Sequence, residues 1–336
     1  MSSPLILGSF DPMIDAGVFS RCVDICGDSL GGLVTKSTTI NPRSGYPDPK
    51  VARLGQGLLI ASGNPNPGIS GMASEVRKFK QRFPDFVVIG SIINDPDHPR
   101  DDLAEEYSLL AVEYARSGVD GLELNLSCPH LDPNEKELTI VPAQDERLVY
   151  RLVNEIKSSL KGAGFGNSLV IPKLTGWNCN LSEVAKSAEM AGADAITVSN
   201  LFPGTGYYTG LTDPGNGAWK YHGIGDHLVA HGKGGYSGKS MHAAVLLMIE
   251  SLRKHVRIPI IASGGCASDL DSLVQTFMAG ATAVQSVTPF YFRDLNEMET
   301  LIKVKDLVTG LENYLEQHGL ERPQDLYRLR TQSGIE

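Results

Sequence analysis

Short apolar runs alternate with amphipathic stretches along this chain. Eight runs stand out: Leu33–Lys36, Gly57–Ser62, Phe86–Ile92, Gly121–Ser127, Leu169–Leu174, Ala195–Asn200, Ile258–Ser263 and Ala283–Thr288. Each is short, rich in β-branched residues and apolar nearly throughout. That is the pattern of strands buried on both faces of a parallel sheet. Between them lie stretches of helical periodicity, among them Asp101–Ser117, Glu146–Leu160, Leu181–Ala191 and Met241–Lys254. Three junctions share one punctuation, Ser117-Gly118-Val119-Asp120, Ala191-Gly192-Ala193-Asp194 and Ala279-Gly280-Ala281-Thr282. A glycine just past a helix supplies the left-handed residue that closes its last turn before the next strand.

Eight strands alternating with helices from Leu33 to Thr288 occupy about the ~250 residues of a (β/α)8 TIM barrel. The expectation is one α/β barrel domain over residues 1–336. An open doubly wound sheet would normally have fewer strands and a glycine-rich first turn. Two connections are too long for a plain crossover, His130–Asp145 after strand four and Leu201–Tyr236 after strand six. These enlarged loops fall at the C-terminal rim, where such barrels carry their chemistry.

Composition narrows the function. The 336 residues include 30 Lys and Arg against 39 Asp and Glu, a net charge of −9, with no basic cluster. Nucleic acid and acidic membrane surfaces are therefore poor partners. No apolar run approaches the ~18–20 residues of a membrane span, and the first residues lack the basic and apolar regions of a secretory signal. The five cysteines, an odd number with Cys22 and Cys26 closest, fit neither a zinc ribbon nor a redox pair. A cytoplasmic protein with free thiols and no metal is expected.

The strand ends carry the candidate chemistry: Thr35-Lys36-Ser37, Asn125-Leu126-Ser127-Cys128, Lys173, Ser199-Asn200, Ser263-Gly264-Gly265 and Gln285-Ser286-Val287-Thr288. Two lysines, two asparagines and a cysteine would converge over the mouth with no acid among them, which suits an anionic or electron-accepting ligand. Gly234-Gly235-Tyr236-Ser237-Gly238 and Gly264-Gly265 could let backbone amides approach a phosphate. Gly238-Lys239-Ser240 is not a P-loop, since Lys233 stands where that motif needs glycine. Cys22, Cys26 and Cys179 read as core residues, and Cys266 stays open between core and site. Cys128, at a strand tip before Pro129 and an over-long loop, reads as reactive, with Lys36 placed to lower its pKa.

Gly121-Leu-Glu-Leu-Asn-Leu-Ser-Cys-Pro-His130, with Val34-Thr35-Lys36-Ser37, Ile171-Pro-Lys-Leu174, Val198-Ser-Asn200, Gly234-Gly-Tyr-Ser-Gly238 and Gly264-Gly265, resembles the class 1 dihydroorotate dehydrogenases. It is similar also to the FMN/pyrimidine domain of dihydropyrimidine dehydrogenase. The resemblance covers nearly the whole chain and implies a homodimeric FMN oxidoreductase acting on a CH–CH bond of dihydroorotate or a related dihydropyrimidine or lactam. It implies hydride transfer to or from flavin N5, with Cys128 as general base or acid. Ser9, Thr35, Lys36, Lys173 and Ser199 would meet the flavin, and Gly238, Gly264, Gly265 and Thr288 its phosphate. Lys36, Asn125, His130 and Asn200 would meet the substrate. The alternative is a divergent barrel without redox turnover, a lyase, isomerase or phosphate-ligand binder.

The chain departs from the dihydroorotate pattern at Ile60, His130 and Leu201. Two of these put an aliphatic side chain where the family usually has a hydrogen-bonding one. Asn64 and Asn66 are the candidates to supply substitute contacts; His222, His227 and His231, in the loop after strand six, are instead the candidates to meet a different substrate.

Overall fold

A computed structural model describes residues 3–46, 50–54, 57–95, 98, 102–128, 141–205, 233–287 and 297–332. In chain order, the first half comprises β1 Leu5–Leu7, α1 Ala16–Cys26, β2 Gly32–Val34, β3 Val51–Leu54, β4 Gly57–Ile60, α2 Gly68–Arg82, β5 Val88–Ile92, α3 Leu103–Ser117, β6 Gly121–Asn125 and α4 Glu146–Gly162. The second half comprises β7 Leu169–Leu174, α5 Leu181–Met190, β8 Ile196–Val198, β9 Phe202–Thr205, β10 Lys233–Gly238, α6 His242–Arg253, β11 Ile260–Ser263, α7 Leu270–Ala279, β12 Ala283–Ser286, α8 Glu297–Gln317 and α9 Asp325–Gln332.

Eight parallel strands close a barrel in the order β1-β2-β5-β6-β7-β8-β11-β12, with β12 pairing back to β1. This is the (β/α)8 fold. The pattern of apolar runs misplaced one of its strands. The run at Gly57–Ser62 does not enter the barrel; β4 lies in a separate antiparallel sheet, β3-β4-β10-β9. The barrel opens instead with β1, whose Leu5, Ile6 and Leu7 are all buried. β4 is equally buried, so periodicity alone cannot separate the two. The connection after the second barrel strand is thus enlarged as well. Its β4 pairs with β10 from the connection after the sixth strand, Ile60 facing Gly235 in register.

Local chemistry explains the regularity of the frame. Asp15, Asp102, Asp145 and Asp269 each cap a helix by accepting backbone N–H groups of its first turn, worth about 1 kcal/mol apiece. Gly118, Gly192 and Gly280 all have φ between 93° and 112°, the left-handed turn their spacing predicts. The aspartate that follows two of them then ties the barrel floor. Asp120 Oδ2 accepts the Val88 N–H at 2.8 Å and Asp194 Oδ2 the Val170 N–H at 2.7 Å. Each also meets a lysine from a neighbouring helix, Lys80 and Lys157.

Inside the barrel a small apolar cluster, including Ile6, Val34, Ile89, Ile171 and Ile261, fills the lower part. The larger core lies between strands and helices. Layered filling of this kind leaves ligand space only above the strands' C-terminal ends.

Candidate active site

Directly above the apolar cluster sits a closed polar ring. Lys173 Nζ lies 3.2 Å from Glu123 Oε1 and donates to Gln285 Oε1 at 3.1 Å. Glu123 Oε2 accepts from Thr197 Oγ1 at 3.0 Å and from the Gln285 amide. All four side chains are buried. A lysine alone in this position would be too costly to desolvate; the carboxylate and amide make it tolerable.

A pocket of about 1150 Å³, open to solvent, lies over this ring. The strand ends contribute Lys36, Asn125, Cys128, Lys173, Ser199 and Asn200, and the antiparallel sheet contributes a wall of Leu58, Ile60, Gly234 and Gly235. Glycine is required in that wall, since a Cβ on Gly235 would stand 2.6 Å from Leu201 Cδ1 and one on Gly234 would stand 2.7 Å from Ile60 O.

The residues expected at the site are largely brought together. Asn125 Oδ1 accepts from Asn200 Nδ2 at 2.9 Å, and Asn125 Nδ2 donates to Ser37 Oγ at 2.9 Å. Ser37 is held in turn by Ser9 and Ser91, its N–H donating to Ser9 Oγ at 3.1 Å. Asn64 lines the pocket and fastens the Ser37 carbonyl at 3.0 Å, whereas Asn66 spends its amide on Thr39, on the Asn64 carbonyl and on the Gly68 N–H. The Thr35 side chain does not reach the pocket. Its hydroxyl is bonded to Tyr114 of α3 at 2.8 Å and accepts the Ser91 N–H. His130, Thr288, His222, His227 and His231 lie outside the described residues.

The mouth is not free of acids, contrary to the reading of the strand ends. Asp11 lines the pocket and its Oδ1 lies 2.8 Å from Lys36 Nζ, while Glu123 faces Lys173 from beneath. The expected lowering of the Cys128 thiol also fails. Burial pushes it above its ordinary value, and Lys36, Lys173 and Arg43 offset this only in part. Desolvation outweighs the cations because each is already engaged by a carboxylate. Cys266 resolves as a core residue, its thiol buried and pushed up to about 12.

A second, smaller hollow opens from the first between Ser237, Gly264, Gly265, Ser268 and Ser286. Gly238, Gly264 and Gly265 have φ of 124°, 104° and 77°, and a Cβ on Gly265 would stand 2.5 Å from Gly238 O. Ser286 Oγ is buried there with no hydrogen-bond partner among the described residues. Glycine-bared backbone, a helix N-terminus at Leu270 and an unspent hydroxyl suit a phosphate. The group that the motifs imply, FMN, therefore finds residues that fit it.

Comparison with known proteins agrees with this geometry. Residues 13–307 match the family model described as dihydroorotate dehydrogenase. The chain belongs to the dihydroorotate dehydrogenase family. It is 31% identical over 300 residues to the "Dihydroorotate dehydrogenase A (fumarate)" of Lactiplantibacillus plantarum, covering 89% of this chain and 86% of that protein. It is 31% identical over 302 residues to the "Dihydroorotate dehydrogenase B (NAD(+)), catalytic subunit" of Pyrococcus furiosus, covering 90% and 87%. The protein of the same description from Thermococcus kodakarensis is 30% identical over 333 residues, covering 97% and 94%. Membership makes the chain an oxidoreductase acting on a CH–CH bond. No helix among the described residues is long and apolar enough to cross a membrane.

The positions of the strand-end residues flagged the site, but its supports were missed. Glu123 had a signal, an acid inside an apolar strand with a lysine on the next strand. Ser37 and Gln285 stood among the strand-end residues with no role of their own, and Asp11 and Tyr107 (whose hydroxyl holds the Asn125 carbonyl at 3.0 Å) had no signal specific enough.

Proposed function

We propose that this chain is an FMN enzyme that interconverts a cyclic CH–CH bond and its C=C counterpart, in a dihydropyrimidine or related lactam, with Cys128 moving the proton. The observation that carries it is one pocket joining a cysteine and paired asparagines to a glycine-rich hollow with an unspent buried hydroxyl.

Bound FMN would take or give the hydride. Gly238, Gly264, Gly265 and the Ser286 hydroxyl would hold its phosphate, and Ser9, Lys36, Lys173 and Ser199 would face its ring. Lys173, an ammonium in the pocket lining, would favour the reduced, more negative form of that ring. Asn125 and Asn200 present amides, each a donor and an acceptor, to the edge of a lactam. Their mutual hydrogen bond fixes which end of each is offered. The Cys128 thiol, raised by burial, is a proton donor in the reducing direction and becomes the acceptor once ionised.

All five cysteines are free, which supports a reducing, cytoplasmic setting. We expect a homodimer from the family resemblance, and light scattering would read its mass. Purified protein should show flavin absorbance near the visible blue; a colourless protein that FMN cannot reconstitute overturns the proposal. Cys128→Ala should keep the flavin and lose substrate-driven bleaching.

A further inference from the structure

We infer that Asp11 makes the pocket select an uncharged ring over one bearing a carboxylate, by holding Lys36 in a closed ion pair. The inference rests on the proposed redox reading and adds a substrate class to it.

Among the described residues, the charged side chains lining the pocket are Asp11, Lys36 and Lys173. Lys36 Nζ lies 2.8 Å from Asp11 Oδ1, and Lys173 Nζ lies 3.2 Å from Glu123 Oε1. Each cation already faces a carboxylate. The lining therefore offers no uncompensated positive charge to a ligand.

The Lys36–Asp11 pair is fastened through the backbone. The Lys36 N–H donates to Met13 O at 2.7 Å, which ties the segment carrying Asp11 to the end of β2. Both side chains are mostly enclosed, at 11% and 22% exposure. A ligand carboxylate approaching Lys36 would lie close to the largely enclosed Asp11 carboxylate. Two like charges there raise each other's cost of ionisation.

One side of the remaining wall agrees. Phe10, Leu58, Ile60, Ala61 and Leu201 line it with apolar side chains, beside polar ones such as Tyr46, Ser62 and Asn64. Nothing in that apolar set donates a hydrogen bond to an anion. The Asn125 and Asn200 amides suit the C=O and N–H groups of a neutral lactam. The substrate class is thus an uncharged cyclic amide, with hydrogen or an alkyl group where a ring carboxylate would otherwise project.

The test is a titration of FMN-loaded protein with uracil and with orotate, read by calorimetry and by the change in flavin absorbance. Wild type should bind uracil at least about tenfold more tightly than orotate. Asp11→Asn should tighten orotate by about tenfold or more while moving uracil less than about threefold. Tighter orotate binding by wild type overturns the inference and leaves the redox reading standing. A uracil preference that Asp11→Asn does not move overturns the role given to Asp11. A bound flavin perturbed by neither ligand, or no bound flavin at all, overturns both readings.

Discussion

The ammonium of Lys173 lies 3.2 Å from Glu123 Oε1, and both side chains are almost wholly enclosed by the barrel. The pair places a positive charge under the pocket without leaving it uncompensated. Removing one partner strands the other. We predict that Lys173→Met or Glu123→Leu alone destabilises the protein by about 3–5 kcal/mol in urea unfolding. The double replacement should be less destabilising than either single one, because no buried charge remains. A double variant whose cost equals the sum of the two single costs would show that the charges are not coupled.

On the proposed reading, Cys128 would set the pH dependence. Burial raises its thiol above the ordinary range, with Lys36 the largest of the cations that oppose the rise. A thiolate is the working form when a substrate proton is removed. The rate of flavin bleaching at limiting substrate should therefore climb with pH, past the point where an exposed thiol has titrated. The opposite reaction, which needs the protonated thiol, should fall over the same interval. Lys36→Met removes the opposing cation and should carry the limb to still higher pH. Cys128→Ser should slow bleaching by about 10²–10⁴-fold. Stopped-flow absorbance across the alkaline range measures all four.

Much of the frame is legible in the sequence, and the exceptions have physical causes. Leu169–Leu174 is recovered residue for residue, because a doubly buried strand flanked by capped helices has one pattern. Leu5–Leu7 was missed because three residues carry no period. Gly57–Ile60 was placed in the barrel because a strand roofing a pocket is as apolar as one inside it. At the site, Asn125, Cys128, Lys173 and Asn200 are marked by polar residues ending apolar runs. Asp11 is not, since it stands in a loop and pairs with a lysine 25 positions on. Partners of that kind are joined by the fold and by nothing local.

Ser37 orients Asn125, donating and accepting within a chain that runs from Asn200 to Ser9. Ser37→Ala should leave that asparagine amide held by Asn200 alone. The expected result is a KM raised severalfold, about 3–10-fold, with kcat nearly unchanged, as for lost uniform binding. Asn125→Ala removes the amide itself and should cost about 10–100-fold in kcat/KM. Steady-state kinetics on the same substrate compares them. A kcat loss in Ser37→Ala as large as in Asn125→Ala would mean that the hydroxyl does more than orient.

Gly265 and Gly192 separate backbone strain from cradle geometry. Both hold left-handed backbone, with φ of 77° and 93°. A side chain at Gly192 would meet nothing within 4 Å, whereas a Cβ at Gly265 would stand 2.5 Å from the Gly238 carbonyl. Gly192→Ala should therefore cost only conformational strain, about 1 kcal/mol, seen as a small loss of stability. Gly265→Ala carries that strain and must also displace the Gly238 carbonyl, next in the chain to Ser237 at the edge of the hollow beside Ser286. Flavin retained after gel filtration, read as visible absorbance per protein, should drop by about tenfold in Gly265→Ala for a loss of ~1.4 kcal/mol. It should stay at the wild-type ratio in Gly192→Ala. If both variants keep their flavin, the hollow does not hold the phosphate, and the glycines around it serve only the turn.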